Sequence, residues 1–68
     1  MYTTYQNLYE QLTNIYPLNE AKAIVRMVLE DRFGLTLADI YTDKVTQLSA
    51  DDANDLEKIM SRLAKGEP

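Results

Sequence analysis

The sequence predicts an all-α protein, a small orthogonal or antiparallel bundle of four to five helices. Apolar residues recur at spacings of three and four in three long stretches, residues 2–16, 19–34 and 50–65. Start and stop signals punctuate those stretches: capping pairs at Thr36/Asp39 and Ser49/Asp52, and glycines at Gly34 and Gly66. Hydrophobic residues at 46% and charged residues at 26% are ordinary globular values, so the chain is expected to fold.

In the first stretch Tyr5, Leu8, Tyr9, Leu12, Ile15 and Tyr16 form one tyrosine-rich stripe, which predicts a single amphipathic helix over residues 2–16. Thr3 or Thr4 caps it, because a hydroxyl oxygen there can accept a free first-turn amide. Asn14 to Leu18 turns the chain back, making the first two helices antiparallel neighbours. The second stretch, Asn19 to Gly34, is the central helix. At about 100° per residue, Ala21, Ile24, Val25, Val28 and Leu29 share one arc, while Lys22, Arg26 and Glu30 follow each other on another. Ala23 and Met27 widen the apolar surface and predict that this helix touches more than one neighbour. Pro17 disfavours a helical Tyr16, leaving Leu18 or Asn19 as the cap. Gly34 closes the helix in a left-handed conformation, with Leu35 folding back onto Leu29.

A short helix of one or two turns follows Thr36, whose spacing to Asp39 is that of a capping box. Thr42 to Leu48 reads as irregular, with Val45 and Leu48 as apolar plugs. The last helix starts at Ser49 and buries Ala53, Leu56, Ile59, Met60 and Leu63. Asp51, Asp52 and Asp55 come early and Lys58, Arg62 and Lys65 late, the order that complements the helix dipole. Gly66 ends it, and Glu67-Pro68 leaves in an extended direction, the expected start of a linker.

Composition removes whole classes of chemistry. With neither cysteine nor histidine, the chain has no disulfide, no thiolate nucleophile, no usual zinc ligand set and no usual proton shuttle. A net charge of −4 opposes direct nucleic-acid binding, which depends on cations facing phosphates. No apolar run approaches the roughly 20 residues a membrane span needs, and no secretory signal opens the chain. A cytoplasmic monomer is the expectation, with no cofactor or metal held by this segment.

Each candidate site has a simpler reading. Tyr5, Tyr9 and Tyr16 lie on the packing stripe and read as core, whereas Tyr41 lies off every long stripe and is the tyrosine to consider for partner contact. Asp51, Asp52 and Asp55 lack the glycine and alternating oxygen ligands of a calcium loop and read as helix-start acids. Glu30, Asp31, Asp39 and Asp43 lack a companion base or oxyanion donor and read as solvated surface. Catalytic, cofactor-binding and metal residues are therefore expected to be none.

Two resemblances bear on function. Val28-Leu29-Glu30-Asp31-Arg32-Phe33-Gly34 is similar to the second helix of acyl carrier proteins, but the Asp-Ser-Leu motif that holds phosphopantetheine is replaced by Pro17-Leu18-Asn19-Glu20. The whole chain resembles the N-terminal domain of the HemK/PrmC family of release-factor glutamine methyltransferases. That domain closes on an arginine-containing helix running into Gly-Glu-Pro, here Arg62-Leu63-Ala64-Lys65-Gly66-Glu67-Pro68. Its second helix opens on an acidic residue and alanine and carries paired aliphatic residues further on, matched by Glu20-Ala21 and Val28-Leu29. Leu63 departs from the pattern, standing where a second arginine is expected.

The resemblance implies that residues 1–65 are a helical domain and 66–68 the start of a linker to a Rossmann-like domain that binds S-adenosylmethionine. The cofactor's glycine-rich loop and the Asn-Pro-Pro-Tyr motif that holds the target amide then belong beyond Pro68. It also implies two partners, the peptide chain release factor and the chain's own C-terminal catalytic domain. Weak contact candidates are Tyr41, Arg62, Lys65, Gly66, Glu67 and Pro68. The alternative from a different class is a free-standing helical interaction module or homodimer.

Overall fold

Thr4 opens the first helix. Its backbone is extended and its Oγ1 accepts the Asn7 amide at 3.1 Å, satisfying one of the first-turn donors. Regular helix α1 (Tyr5–Glu10) is shorter than the stripe predicted. Beyond Glu10 the chain tightens into turns: Leu12 N–H donates to the Tyr9 carbonyl, Thr13 N–H to Glu10 and Ile15 N–H to Leu12, each three residues back. Thr13 Oγ1 also donates to the Glu10 carbonyl at 2.8 Å, competing for a helix acceptor. The tighter winding shifts the register, so Leu12 stays buried while Ile15 turns outward to 47% exposure. The computed structural model describes residues 3–66, so the expected extended exit at Glu67-Pro68 lies outside the described residues.

Helix α2 (Leu18–Phe33) has Pro17 as its N-cap rather than Leu18 or Asn19, and no side chain caps it. Proline serves because its extended ψ reverses the chain while its carbonyl accepts the Ala21 amide at 2.9 Å. Ala21, Val25 and Leu29, each four residues apart, are fully buried, with Ile24 and Val28 packed beside them. Ala23 and Met27 face outward and add no buried surface, yet α2 packs against both α1 and the short helix that follows it, the more than one neighbour that its composition predicted. Gly34 ends it at φ +67°, its amide donating to Glu30, and the Leu35 amide folds back to the Leu29 carbonyl at 3.1 Å.

Helix α3 (Leu37–Tyr41) begins in a complete capping box. Thr36 Oγ1 accepts from the Asp39 amide and Asp39 Oδ2 accepts from the Thr36 amide, both at 3.1 Å. The following segment, expected to be irregular, contains a 3-10 helix (Lys44–Gln47) set off by Asp43 at φ +58°. Val45 and Leu48 pack into the core from it as expected. Helix α4 (Ala50–Ala64) is capped by Ser49, whose Oγ accepts the Asp52 amide at 3.1 Å. Leu56 and Met60 are its buried residues, whereas Ala53 at its mouth is exposed.

The core joins Tyr5, Leu8 and Leu12 of the first segment to the α2 stripe, then Ile40, Val45, Leu56 and Met60. Among the described residues no polar or charged residue other than Tyr5 belongs to it, so its cohesion is apolar. The radius of gyration, 10.9 Å, equals the roughly 11 Å of a compact chain this long. Among the described residues no helix is long and apolar enough to cross a membrane.

Candidate docking surface

Tyr5 links the core to the surface. Its ring is buried, yet its Oη donates to the Lys22 carbonyl at 3.2 Å and accepts from Arg26 Nη1 at 3.3 Å. Burial pushes its phenol above the ordinary tyrosine value, and Arg26 pulls the other way. The same hydrogen bond is the chief reason the Arg26 guanidinium is held charged more firmly than usual, with Tyr41 adding to it.

Two more rings pack against this one edge-on. Tyr9 lies 5.0 Å away at 70° and Tyr41 5.9 Å away at 89°. Lys22 Nζ stands 5.3 Å from the Tyr9 ring centre, within cation–π range. Together with Asp43 these groups line an open recess of about 400 Å³ between α1, α2 and α3. A larger groove, about 640 Å³, runs between Leu8, Val45, Leu56 and Met60; its walls are the apolar core with scattered polar residues and hold no comparable cluster of rings and charges.

The sequence-predicted candidates fall in two places. Tyr41 is 62% exposed at the end of α3 and belongs to the recess. Arg62 and Lys65 are exposed at the C-terminal end of α4, followed by Gly66 at φ +80°, and none of the three lines the recess. Glu67 and Pro68 lie outside the described residues. Lys22 and Arg26, read from sequence as a solvated face, are the residues that join Tyr41. Their spacing of four was visible; their meeting with α1 and α3 depends on tertiary packing. The acidic candidates are spent elsewhere: Asp51 and Asp52 in the first turn of α4, Asp39 in its capping box, and Asp43 on the Tyr5 amide. Among the described residues no group of three or more acidic side chains is placed to hold a metal ion.

The PrmC N-terminal domain family matches residues 3–68. This chain belongs to that family. A PrmC N-terminal domain is what the Gly66-Glu67-Pro68 ending and the Glu20-Ala21 helix opening had suggested. The release factor glutamine methyltransferase of Bacteroides thetaiotaomicron is 41% identical over 59 residues, covering 87% of this chain and 21% of that protein. The chain thus spans about one fifth of the curated relative it matches. No solved structure matches significantly.

Proposed function

We propose that this PrmC N-terminal domain is the substrate-recruiting part of a protein-(glutamine-N5) methyltransferase acting on the Gly-Gly-Gln glutamine of peptide chain release factors. The match to a release factor glutamine methyltransferase, confined to one fifth of that enzyme, carries the reading. The helical segment is non-catalytic by itself. A catalytic domain beyond residue 68 supplies the S-adenosylmethionine site, for which this segment offers no glycine-rich strand-to-helix loop. S-adenosylmethionine supplies the methyl group; residues 1–68 act on the partner alone, by binding and orientation. Holding the release factor against the catalytic domain makes the transfer effectively unimolecular, an advantage that needs surface and not reactive groups. The enzyme then works as a cytoplasmic monomer.

The test is methyl transfer from labelled S-adenosylmethionine to a release factor, comparing the full-length enzyme with a version lacking residues 1–68. Loss of rate with cofactor binding retained supports recruitment. An equal rate at low release-factor concentration refutes recruitment, and no transfer by well-folded full-length enzyme refutes the methyltransferase reading.

A further inference from the structure

We infer that the face formed by Lys22 and Arg26 of α2 with Leu37 and Tyr41 of α3 is where the release factor docks, and that it takes an acidic segment of that factor. The assignment rests on the methyltransferase reading above and names its contact.

Charge is the first argument. The chain carries eleven acidic residues against seven basic ones, so positive charge is the scarcer sign on its surface. Among the described residues the ion pair formed is Lys44 with Asp39, at 3.3 Å. The other six basic residues form none among the described residues, and of these Lys22 and Arg26 converge on one recess. The carboxylate that shares it, Asp43, has one oxygen committed to the Tyr5 amide at 3.2 Å. Two cations converging on one recess of an acidic protein present a local positive field, which complements carboxylates on a partner. A nucleic-acid phosphate would meet the same cations, but the net charge of −4 opposes a long polyanion while permitting a short acidic segment.

Pre-organisation is the second argument. Tyr41 is 62% exposed, yet its ring is fixed edge-on by the buried Tyr5, so binding need not order it. Leu37, one helical turn earlier and 51% exposed, extends the apolar part of the same short helix. An exposed tyrosine beside an arginine, with aliphatic surface adjoining, is the composition that concentrates binding energy in protein interfaces. The end of α4, where the catalytic domain would be joined, does not line the recess.

The experiment uses the full-length enzyme and its release factor with saturating S-adenosylmethionine. Lys22→Glu with Arg26→Glu is expected to raise KM for the factor about tenfold or more, with kcat within about twofold. Tyr41→Ala should raise KM roughly fivefold. Arg26→Lys should stay near the parent, and about 0.5 M salt should bring parent and double variant together. Lys22→Glu alone carries the test if the double variant fails to fold, since the Lys22 side chain makes no hydrogen bond among the described residues. An unchanged KM in folded variants of an active enzyme overturns the docking face and leaves the methyltransferase reading intact. A fall in kcat at constant KM, or lost cofactor binding, assigns the face to the catalytic domain and overturns it too. So does tight binding of single-stranded RNA that the charge reversals abolish. An inactive parent enzyme removes both readings.

Discussion

Asp43 caps helix α1 from 38 positions away, its Oδ1 accepting the Tyr5 backbone amide at 3.2 Å. A carboxylate at a helix N-terminus satisfies a free donor and faces the positive end of the dipole. Asp43 does so from a left-handed backbone at φ +58°, which costs most side chains energy. The two effects can be separated by substitution. Asp43→Asn keeps an acceptor and tolerates the backbone, Asp43→Gly relaxes the backbone and loses the cap, and Asp43→Ala loses on both counts. Stability in urea should fall in that order, with alanine about 1–2 kcal/mol below the parent.

Asp39 gives the domain an acid-sensitive joint. The Thr36 amide chiefly, then the Thr36 hydroxyl and Lys44, hold its carboxyl below the ordinary value of 3.8. A depressed folded value means that the contribution is complete above the unfolded value and is lost as pH falls through the folded one. Stability is thus expected to be flat at neutral pH and to decline below about pH 4. Asp39→Asn should flatten part of that decline, measured as urea midpoints across the acid range. Thr36→Ala should cost about 1 kcal/mol even at neutral pH, since it removes the other half of the box.

Local rules were legible in the sequence wherever neighbours in the chain decide the outcome. Gly34, Ser49/Asp52 and Thr36/Asp39 lie within a turn of the groups they bond, so their spacing alone marked three helix boundaries. Ala21, Val25 and Leu29 were legible because periodicity records a buried face. The misses that involve distant parts of the chain share one cause. Met27 looks apolar to any periodic reading, yet only the placement of neighbouring helices decides that it faces solvent. Asp43 and Tyr5, or Arg26 and Tyr41, meet through the fold, and nothing in their sequence separation marks the pairing. The recess was therefore invisible except for Tyr41, which drew attention by failing to fit a stripe.

Gly34 should tolerate no residue with a Cβ without cost, although space is not the reason. An added Cβ meets nothing within 4 Å, so the penalty is that of a left-handed backbone alone. Gly34→Ala is expected to cost about 1 kcal/mol and Gly34→Asn visibly less, since asparagine enters that region more easily. Equal losses for the two would mean that the site senses bulk and not backbone conformation. Urea unfolding followed by circular dichroism makes the comparison.

Leu29 and Met27 lie two residues apart on α2 and should respond oppositely to truncation. Leu29 is fully buried beneath the packed core, whereas Met27 is 63% exposed. Leu29→Ala removes transfer energy and leaves a cavity, about 2–5 kcal/mol. A domain of 68 residues commands on the order of 3–10 kcal/mol in all, so this change should leave much of the population unfolded at 37 °C. Met27→Ala removes little buried surface and substitutes a better helix former, so stability should stay within about 0.5 kcal/mol. A large loss at Met27 would mean that α2 buries a second face, in this domain or against another copy of it. Sedimentation of the parent at several concentrations separates those two causes, because mass rises with concentration only when copies associate.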